Sequence, residues 1–261
     1  MTRTILPDNR VVQLHPVAAR DAPPARHADC TRCEMREFVL FADLTLEELA
    51  DIHEPILDFR AAVGKSLFEA GAAARHVYTL RRGLVKLLRW TPQGTARIVG
   101  LMRPGDLVGI EALVEPKHRS SAVVLRDADL CRIPVEVIHR MQGRSLHLQR
   151  RLAERWHAAL DGSQRWLTDM NTGSAERRLA HLVLFVASDR APSAPLFARD
   201  DLAAMLGLTA ETVSRTLQQF VRSGWVAVRR QPEQQIELRD RAALQSCAEG
   251  SGVWRARSAG G

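Results

Sequence analysis

The stretch DLAAMLGLTAETVSR, residues Asp201–Arg215, decides how the C-terminal part of this chain folds. Leu202, Met205 and Leu206 recur at the i, i+3, i+4 spacing of one helix face, which predicts a short helix with a buried apolar side. Gly207 is placed to end that helix, because glycine readily takes the left-handed conformation that closes a helix. Thr209 is then a natural N-cap for a second helix. The stretch therefore predicts two helices joined by a tight turn.

The second helix of the pair has one apolar and one polar face. Val213, Leu217 and Phe220 form the apolar stripe, which should be buried. The polar face carries arginine, which pairs with guanine, glutamate, which accepts from the cytosine amino group, and serine, which suits either base edge. The candidate DNA contacts are Thr209, Glu211, Thr212, Ser214, Arg215 and Gln218. An ordinary helical hairpin with a polar outer face is the alternative.

The residues that follow the second helix favour DNA binding. Residues 223–228 (SGWVAV) and 235–238 (QIEL) are typical of two short strands joined by a polar turn. A helix-turn-helix followed by such a β-hairpin wing is typical of a DNA-binding module. We therefore expect a winged helix-turn-helix domain over residues 173–243 and a flexible tail over residues 244–261.

The charge of the chain also suits a polyanionic partner. Its 261 residues carry a formal net charge of +7 with a pI near 10.0, which favours a polyanion; with the helix-turn-helix, the expected partner is double-stranded DNA. No apolar run is long enough to span a membrane, and the N-terminus lacks the apolar core of a signal peptide. We therefore expect a cytoplasmic protein with no membrane partner, whose four cysteines form no disulfide framework.

The N-terminal half contains an irregular arm, a short helix and a β-rich region. Residues 1–29 show no periodicity, so we expect a disordered arm. A helix is predicted from Leu44 to about Leu57, with Thr45 as its N-cap and Glu48 at the reciprocal position of a capping box. Residues 30–134 form the predicted sensory domain, in which many short strands with regular turn glycines indicate a small barrel or jelly roll. Its predicted strands include residues 66–68, 76–80, 84–88, 97–101, 121–125 and 129–133.

From Val135 the periodicity becomes helical, and residues 135–172 are predicted to form one long dimerisation helix. A coiled-coil seam is indicated by residues at alternating spacings of four and three: Leu152, Trp156, Ala159, Ser163, Trp166 and Met170. Leu148, Leu160 and Leu167 lie beside this seam and are expected to pack back on the barrel. Two apolar edges on one helix suit a homodimer, with a lone helix packed on its own domain as the alternative.

The predicted architecture is therefore α+β: a jelly roll, a dimerisation helix and a winged helix-turn-helix. This layout resembles the family of cyclic-AMP receptor and fumarate-nitrate-reduction (Crp/Fnr) regulators over roughly residues 30–240. The resemblance is carried by residues 202–215, by Arg103–Gly109 (RPGDLVG) in the barrel and by Ala175–Leu179 (AERRL) at the start of the DNA-binding domain. It implies a cyclic-nucleotide-binding-like β-roll, a palindromic operator and RNA polymerase as a further partner.

The same resemblance implies which bases are contacted. Glu211, Ser214 and Arg215 form the Glu-x-x-Ser-Arg pattern of the branch that binds TTGAT-type half-sites, whereas the cyclic-AMP branch has arginine at the position of the serine. Ala198 departs from the family, which favours a capping threonine there. The first helix of the pair thereby loses a side-chain acceptor worth around 1 kcal/mol.

A cysteine set resembles that of the oxygen-sensing branch of the family. Cys30 and Cys33 precede the barrel, and Cys131 lies on its last predicted strand. In that branch, such cysteines ligate a 4Fe-4S cluster through four thiolates. The remaining ligand of the branch falls at Val39, which cannot bind iron, so an oxygen or nitrogen donor or a small molecule would complete the cluster. The candidate donors near the cysteine pair are His27 and Asp29.

Other fates of these cysteines stay open at this point. A cysteine on a strand commonly serves as a small buried apolar residue, which is the alternative for Cys131. The Cys30–Cys33 pair could instead be a reversible thiol switch or the remnant of a lost cluster. Zinc is disfavoured because no second Cys-x-x-Cys or His pair is present. Cys247 lies in the predicted tail and is expected to be uninvolved.

Cyclic nucleotide and haem are competing effectors. Gly109, Glu111 and Arg119 superficially supply the turn, carboxylate and arginine that a cyclic-nucleotide site needs. However, Ile110 is inserted between the glycine and the glutamate, which would turn Glu111 to the other face of an extended segment. The histidines considered as haem ligands, all expected to be solvated, are His76, His118 and His139.

An enzyme is the alternative class of function. Jelly-roll barrels host metal enzymes through clustered histidines and carboxylates. The predicted barrel strands carry no His-x-His or similar cluster. We therefore expect a regulator and not a jelly-roll metal enzyme with a DNA-binding appendage.

Overall fold

The computed structural model describes residues 26–28, 40–41, 44–45, 47–48, 55–92, 96–187, 193–229 and 235–250. The chain divides into two compact units, Met1–Gly162 and Ser163–Gly261. No helix within these described ranges combines the length and apolar character that crossing a membrane requires.

The first unit is built on an antiparallel sheet whose strands differ in length, as expected for the jelly roll. The sheet follows the order β1-β2-β7-β4-β5, with β3 paired to β7 and β6 paired to β4. Its strands are β1 (Arg26–His27), β2 (Leu57–Ala61), β3 (Ser66–Phe68), β4 (His76–Trp90), β5 (Ala96–Met102), β6 (Leu107–Val108) and β7 (Ser121–Pro134). The predicted α+β fold class is confirmed.

The strands predicted over residues 76–80 and 84–88 form one long strand, β4, and those predicted over 121–125 and 129–133 form another, β7. The register between them shifts at several points from Leu80 to Val85, so the strand bends where the sequence suggested a turn. Gly83 lies within this bulged stretch at φ +92°, and a Cβ placed there would stand 2.4 Å from the backbone oxygen of Asp127. Glycine is needed at this position because β7 passes so close to it.

The two faces of the sheet support two separate cores. Successive strand residues point to opposite faces, so Tyr78 and Leu130 join the core inside the roll, whereas Val77 and Cys131 join a second core. The second core also takes in Leu148 from the helical segment that follows the roll. This arrangement ties the outer face of the sheet to the start of the long helix.

The predicted single helix over residues 135–172 is divided in two. Helix α1 spans Val135–Gln142 and helix α2 spans Leu146–Asn171. Gly143 follows α1, and the Ser145 hydroxyl accepts a hydrogen bond from the N–H of Leu148 at 3.2 Å, which starts α2 anew. Glycine has low helix propensity and serine competes for backbone N–H groups, so this sequence interrupts the helix.

The N-terminal predictions are confirmed only in part. Thr45 and Glu48 exchange the two capping-box bonds, at 2.8 and 3.1 Å. The helix does not reach Leu57, because Pro55 and Ile56 are not helical and Leu57 begins β2. The predicted arm also contains the strand β1, whereas residues 1–25 and 29 lie outside the described ranges.

The second unit contains the two predicted helices and the predicted hairpin, together with further elements. Its elements beyond the end of α2 are α3 (Ala175–Val186), β8 (Ser193–Pro195), α4 (Arg199–Leu206), α5 (Ala210–Arg222), β9 (Val226–Arg229), β10 (Gln235–Leu238) and α6 (Arg241–Glu249). The strands form a small sheet in the order β8-β10-β9.

Helix α6 corrects the prediction of a flexible tail over residues 244–261. The Asp240 carboxylate caps this helix by accepting from the N–H of Ala243 at 2.9 Å. Leu244 and Ala248 are buried, and the helix packs against α3. An aspartate cap followed by two buried apolar residues at i, i+4 agrees with a helix over residues 241–249; residues 251–261 lie outside the described ranges.

Candidate nucleic-acid interface

The turn between α4 and α5 has the geometry that the sequence predicts. Gly207 takes the left-handed conformation at φ 62° and ψ 36° and closes α4. The Thr209 hydroxyl accepts from the N–H of Thr212 at 3.1 Å and so caps α5. Ala198 supplies no side-chain cap to the start of α4, as expected from its departure from the family pattern.

Helix α5 is held by one fully apolar side. Val213, Leu217 and Phe220 are all buried, and the Phe220 ring lies 5.2 Å from that of Trp225, at the entrance to the wing. Thr216 is buried as well, which sequence reasoning missed; its hydroxyl donates to the carbonyl of Thr212 at 2.9 Å and so needs no other partner. The buried side fixes which face of α5 remains open.

The open face of α5 carries the candidate DNA contacts. Arg215 and Glu211 are 79% and 71% exposed in their side chains and form an i,i+4 ion pair at 2.5 Å. Such an exposed pair contributes only about 0.3–0.5 kcal/mol, so both groups can exchange it for partners on a ligand at little cost. Thr209 and Gln218 are also exposed, whereas Thr212 and Ser214 are half-buried at the rim of this face. The six predicted residues therefore lie on or beside one exposed helical surface.

An ion pair connects the two strands of the wing that follows α5. On the paired strands β9 and β10, the Glu237 carboxylate accepts from Arg229 at 2.5 Å and from Arg239 at 3.2 Å. The hydrogen bond from Arg229 and the positive charge of both arginines lower the pKa of Glu237. The arginines are thereby held in place on the hairpin that follows the candidate reading helix.

Cys131 is the one predicted metal ligand that the structure describes, since Cys30 and Cys33 lie outside the described residues. It is buried on β7, directly opposite Asp58 of β2 on one side and Thr79 of β4 on the other. Opposed residues of antiparallel strands point to the same face. The buried Thr79 hydroxyl has no hydrogen-bond partner within the described ranges. No group of three metal-ligating side chains occurs among the described residues.

Buried side chains surround Gly109, the glycine considered for a cyclic-nucleotide site. Gly109 begins a 3-10 turn, so the segment is not extended as the sequence suggested, and Ile110 is buried. His118, expected to be solvated, is instead buried, stacked on Phe68 at 3.6 Å between ring centroids. A Cβ placed on Gly109 would lie 3.0 Å from the Phe68 ring. Glu111 is directed into this cluster, with Oε1 3.0 Å from Nδ1 of His118.

Three of the six residues predicted for the seam on α2 are buried within the single chain. Leu152, Trp166 and Met170, assigned to the dimer interface, are buried within a single chain. Leu160 and Leu167, expected to pack on the barrel, are instead 59% and 65% exposed. The spacing of four and three fits two neighbouring stripes of this helix equally well, and only the core, which takes Leu148 and Leu152, distinguishes them.

The other three residues of the predicted seam are exposed or half-buried. Trp156 is 37% exposed, Ser163 is exposed and Ala159 is half-buried. Trp156, Leu160, Ser163 and Leu167 follow one another at spacings of four, three and four. The exposed stripe of α2 is therefore itself a heptad pattern.

Comparison with known sequences identifies both halves of the chain. Residues 177–247 match the model of the Crp-like helix-turn-helix domain, and residues 59–145 match the model of the cyclic nucleotide-binding domain. The fumarate and nitrate reduction regulatory protein of Escherichia coli is 30% identical over 209 residues, an alignment that covers 77% of this chain and 83% of that protein.

Solved structures give the same architecture. FixK2 from Bradyrhizobium japonicum aligns with a TM-score of 0.66 at 24% identity and covers 74% of this chain and 98% of its own. A CRP-family transcriptional regulator from Thermus thermophilus aligns with a TM-score of 0.62 at 23% identity and covers 73% of this chain and 96% of its own. At these identities the likeness establishes the fold.

Proposed function

The chain belongs to the Crp/Fnr family of DNA-binding transcriptional regulators, and from that premise we propose that it acts as a homodimer on TTGAT-like half-sites in response to a redox or oxygen-type signal. Its relatives and its fold are those of regulators rather than enzymes. The proposed role places it in the cytoplasm, on a palindromic operator, with RNA polymerase as its further partner.

The half-site assignment rests on the exposed Glu211–Arg215 pair. Both side chains project from the open face of α5, and Ser214 lies between them in the sequence. Arginine donates bidentately to guanine and glutamate accepts from the amino group of cytosine, so the pair suits a G·C base pair within the half-site. The ion pair that they form in the unbound protein keeps the two groups near each other before DNA is bound.

A direct binding measurement tests this assignment. In gel shifts, a TTGAT-N4-ATCAA duplex should bind more tightly than a scrambled duplex of the same length and composition. Specific and non-specific binding should both weaken with salt, because phosphate contacts release counterions. Equal affinity for the two duplexes would contradict the proposed base contacts.

The proposed homodimer uses the exposed stripe of α2. Trp156, Leu160 and Leu167 present apolar surface to solvent at heptad spacing, with the small Ser163 among them. In a parallel pair of helices, such residues pack as knobs into holes and bury one another. No charged residue stands within this four-residue stripe, so the dimer should form without an effector.

The proposed sensor uses Cys30, Cys33 and Cys131, which would hold an iron-sulfur cluster whose iron reacts with oxygen. Arg26 of β1 stands opposite Asp58, and Asp58 stands opposite Cys131. Two strand spacings, about 10 Å, therefore separate the backbones of Arg26 and Cys131. Cys30 follows Arg26 by four residues, a reach of up to about 14 Å, so the chain is long enough to bring it to Cys131.

The surroundings of Cys131 support this proposal. The Thr79 hydroxyl on the same face is buried and lacks a partner among the described residues, so it can donate a hydrogen bond to a ligand bound there. Ala28, two residues before Cys30, packs against the core that contains Cys131. Val39 leaves the set one thiolate short, so the fourth ligand must be an oxygen or nitrogen donor or a small molecule.

Cyclic nucleotide is not proposed as the effector, despite the domain that the chain matches. The stacked rings of Phe68 and His118 lie beside Gly109, and the Glu111 carboxylate is engaged with His118. Arg119, the candidate phosphate ligand, is exposed and paired with Glu115 at 2.5 Å. A nucleotide that bound directly against Gly109 would have to displace this buried aromatic stack.

A further inference from the structure

Arg178, near the start of α3, joins two backbone carbonyls that are distant in sequence. Its Nε donates to the oxygen of Gly173 at 3.1 Å, and its Nη1 donates to the oxygen of Leu206 at 3.0 Å. Gly173 lies in the connection between α2 and α3, whereas Leu206 is the last residue of α4. One guanidinium thus links that connection to the turn of the helix-turn-helix.

The Leu206 carbonyl depends on this side chain because the turn uses its own N–H groups elsewhere. The N–H groups of Gly207 and Leu208 both donate to the oxygen of Ala203. The last carbonyls of a helix have no partner within the helix and must find one outside it. A positively charged donor at this end is also favoured by the helix dipole.

The first turn of α3 gives Arg178 a fixed base. The Ser174 hydroxyl caps the helix by accepting from the N–H of Arg177 at 3.2 Å. Gly173 adopts φ +84°, and a Cβ there would lie 2.8 Å from Cδ of Arg177, so the backbone and this side chain are closely packed. The guanidinium of Arg178 therefore reaches from an ordered helix start to the turn before α5.

We infer that Arg178 is a positioning residue, which sets the orientation of the α4–α5 turn and through it the face that α5 presents to DNA. The inference deepens the proposed function and rests on its DNA-binding part. Arginine suits the role because its planar fork holds several donors in a fixed geometry. Lysine keeps the charge but is a single flexible point donor, so it cannot hold both carbonyls in the same way.

The test compares Arg178→Ala and Arg178→Lys with the wild type on a duplex that the wild type itself selects from a randomised pool. Both variants should bind the selected duplex about tenfold more weakly or worse, whereas their affinity for non-specific duplex stays within about twofold of wild type. The slope of log affinity against log salt should not change. Arg97→Ala, which removes an exposed arginine from β5 in the other unit, is the charge-matched control.

A phosphate-binding role for Arg178 predicts different results. If Arg178 contacts a phosphate, Arg178→Ala should weaken specific and non-specific binding alike, reduce the salt slope by about 0.9, and be rescued by Arg178→Lys. Wild-type selectivity in Arg178→Lys would overturn the inference, even if Arg178→Ala lowers the unfolding temperature. Selection of a sequence other than TTGAT half-sites would refute the half-site proposal and leave this comparison valid.

Discussion

Truncation of the exposed leucines of α2 should dissociate the proposed dimer without unfolding the chain. Leu160 and Leu167 keep 59% and 65% of their surface exposed in the single chain. A leucine exceeds alanine by three carbon atoms, or about 2.4 kcal/mol on full burial at ~0.8 kcal/mol for each. Since roughly 60% of this remains to be gained, each leucine contributes about 1.4 kcal/mol at the dimer interface.

The two-fold symmetry doubles this contribution. Leu160→Ala changes both protomers, so it should weaken dimerisation by about 3 kcal/mol, or roughly a hundredfold in the dissociation constant. The double variant Leu160→Ala/Leu167→Ala should lose about 5–6 kcal/mol, close to four decades. Sedimentation equilibrium over a concentration series measures this constant, and thermal unfolding followed by circular dichroism shows that the variants remain folded.

Two control variants distinguish loss of the dimer interface from a general effect of removing apolar side chains. Val114→Ala shortens another exposed apolar residue, 72% exposed and outside α2, and should leave dimerisation unchanged. Leu152→Ala opens a cavity in the core of its own unit and should lower the unfolding temperature, because buried leucines typically contribute 2–5 kcal/mol. If Leu152→Ala dissociates the dimer at full helicity while Leu160→Ala does not, the exposed stripe is not the interface.

Three further predictions concern DNA, the sensor and the roll. Arg215→Ala should weaken operator binding by about 1–3 kcal/mol and relax selectivity at one base pair, which affinities for single-base operator variants would reveal. Anaerobically purified protein should be brown and should bleach in air. Cys131→Ser should remove the iron and the colour, whereas Cys247→Ser should retain both. Iron in both variants would exclude Cys131 as a ligand. Gly83→Ala should destabilise the fold more than Gly71→Ala does. Both glycines have a positive φ, so each alanine costs about 1–3 kcal/mol of backbone strain, but a Cβ at Gly71 meets no atom within 4 Å. Equal unfolding temperatures for the two glycine variants would contradict the close approach of β7.

Local signals predicted local structure well. Gly207 and Thr209 specify the turn between α4 and α5 because each acts on the backbone within a few residues. Thr45 and Glu48 likewise form their capping box, although the helix that they begin ends sooner than expected. The apolar stripe of α5 is clear because its three large residues have no competing stripe beside them.

Features that depend on distant partners were not predictable in the same way. The two stripes of α2 have the same spacing, and only the core that receives Leu152 shows which one stays exposed. The burial of His118 depends on Phe68, fifty residues earlier in the sequence, whose ring stacks on it. Arg178 gave no local signal either, since the carbonyls that it binds lie at both ends of a 34-residue segment.

The core on the outer face of the sheet connects the proposed sensor to the proposed dimer helix. Cys131 shares this core with Leu148 and Leu152, which anchor the N-terminal part of α2. Protein cores are close-packed, so a change in volume or charge at Cys131 must displace its neighbours rather than be absorbed locally. Arg155 adds a second tie, donating to the oxygen of Gly105 at 3.0 Å from the same helix. Loss of a ligand at Cys131 would therefore act first on the packing of the helix that carries Leu160, and the dissociation constant of the proposed dimer should differ between anaerobic and air-exposed protein.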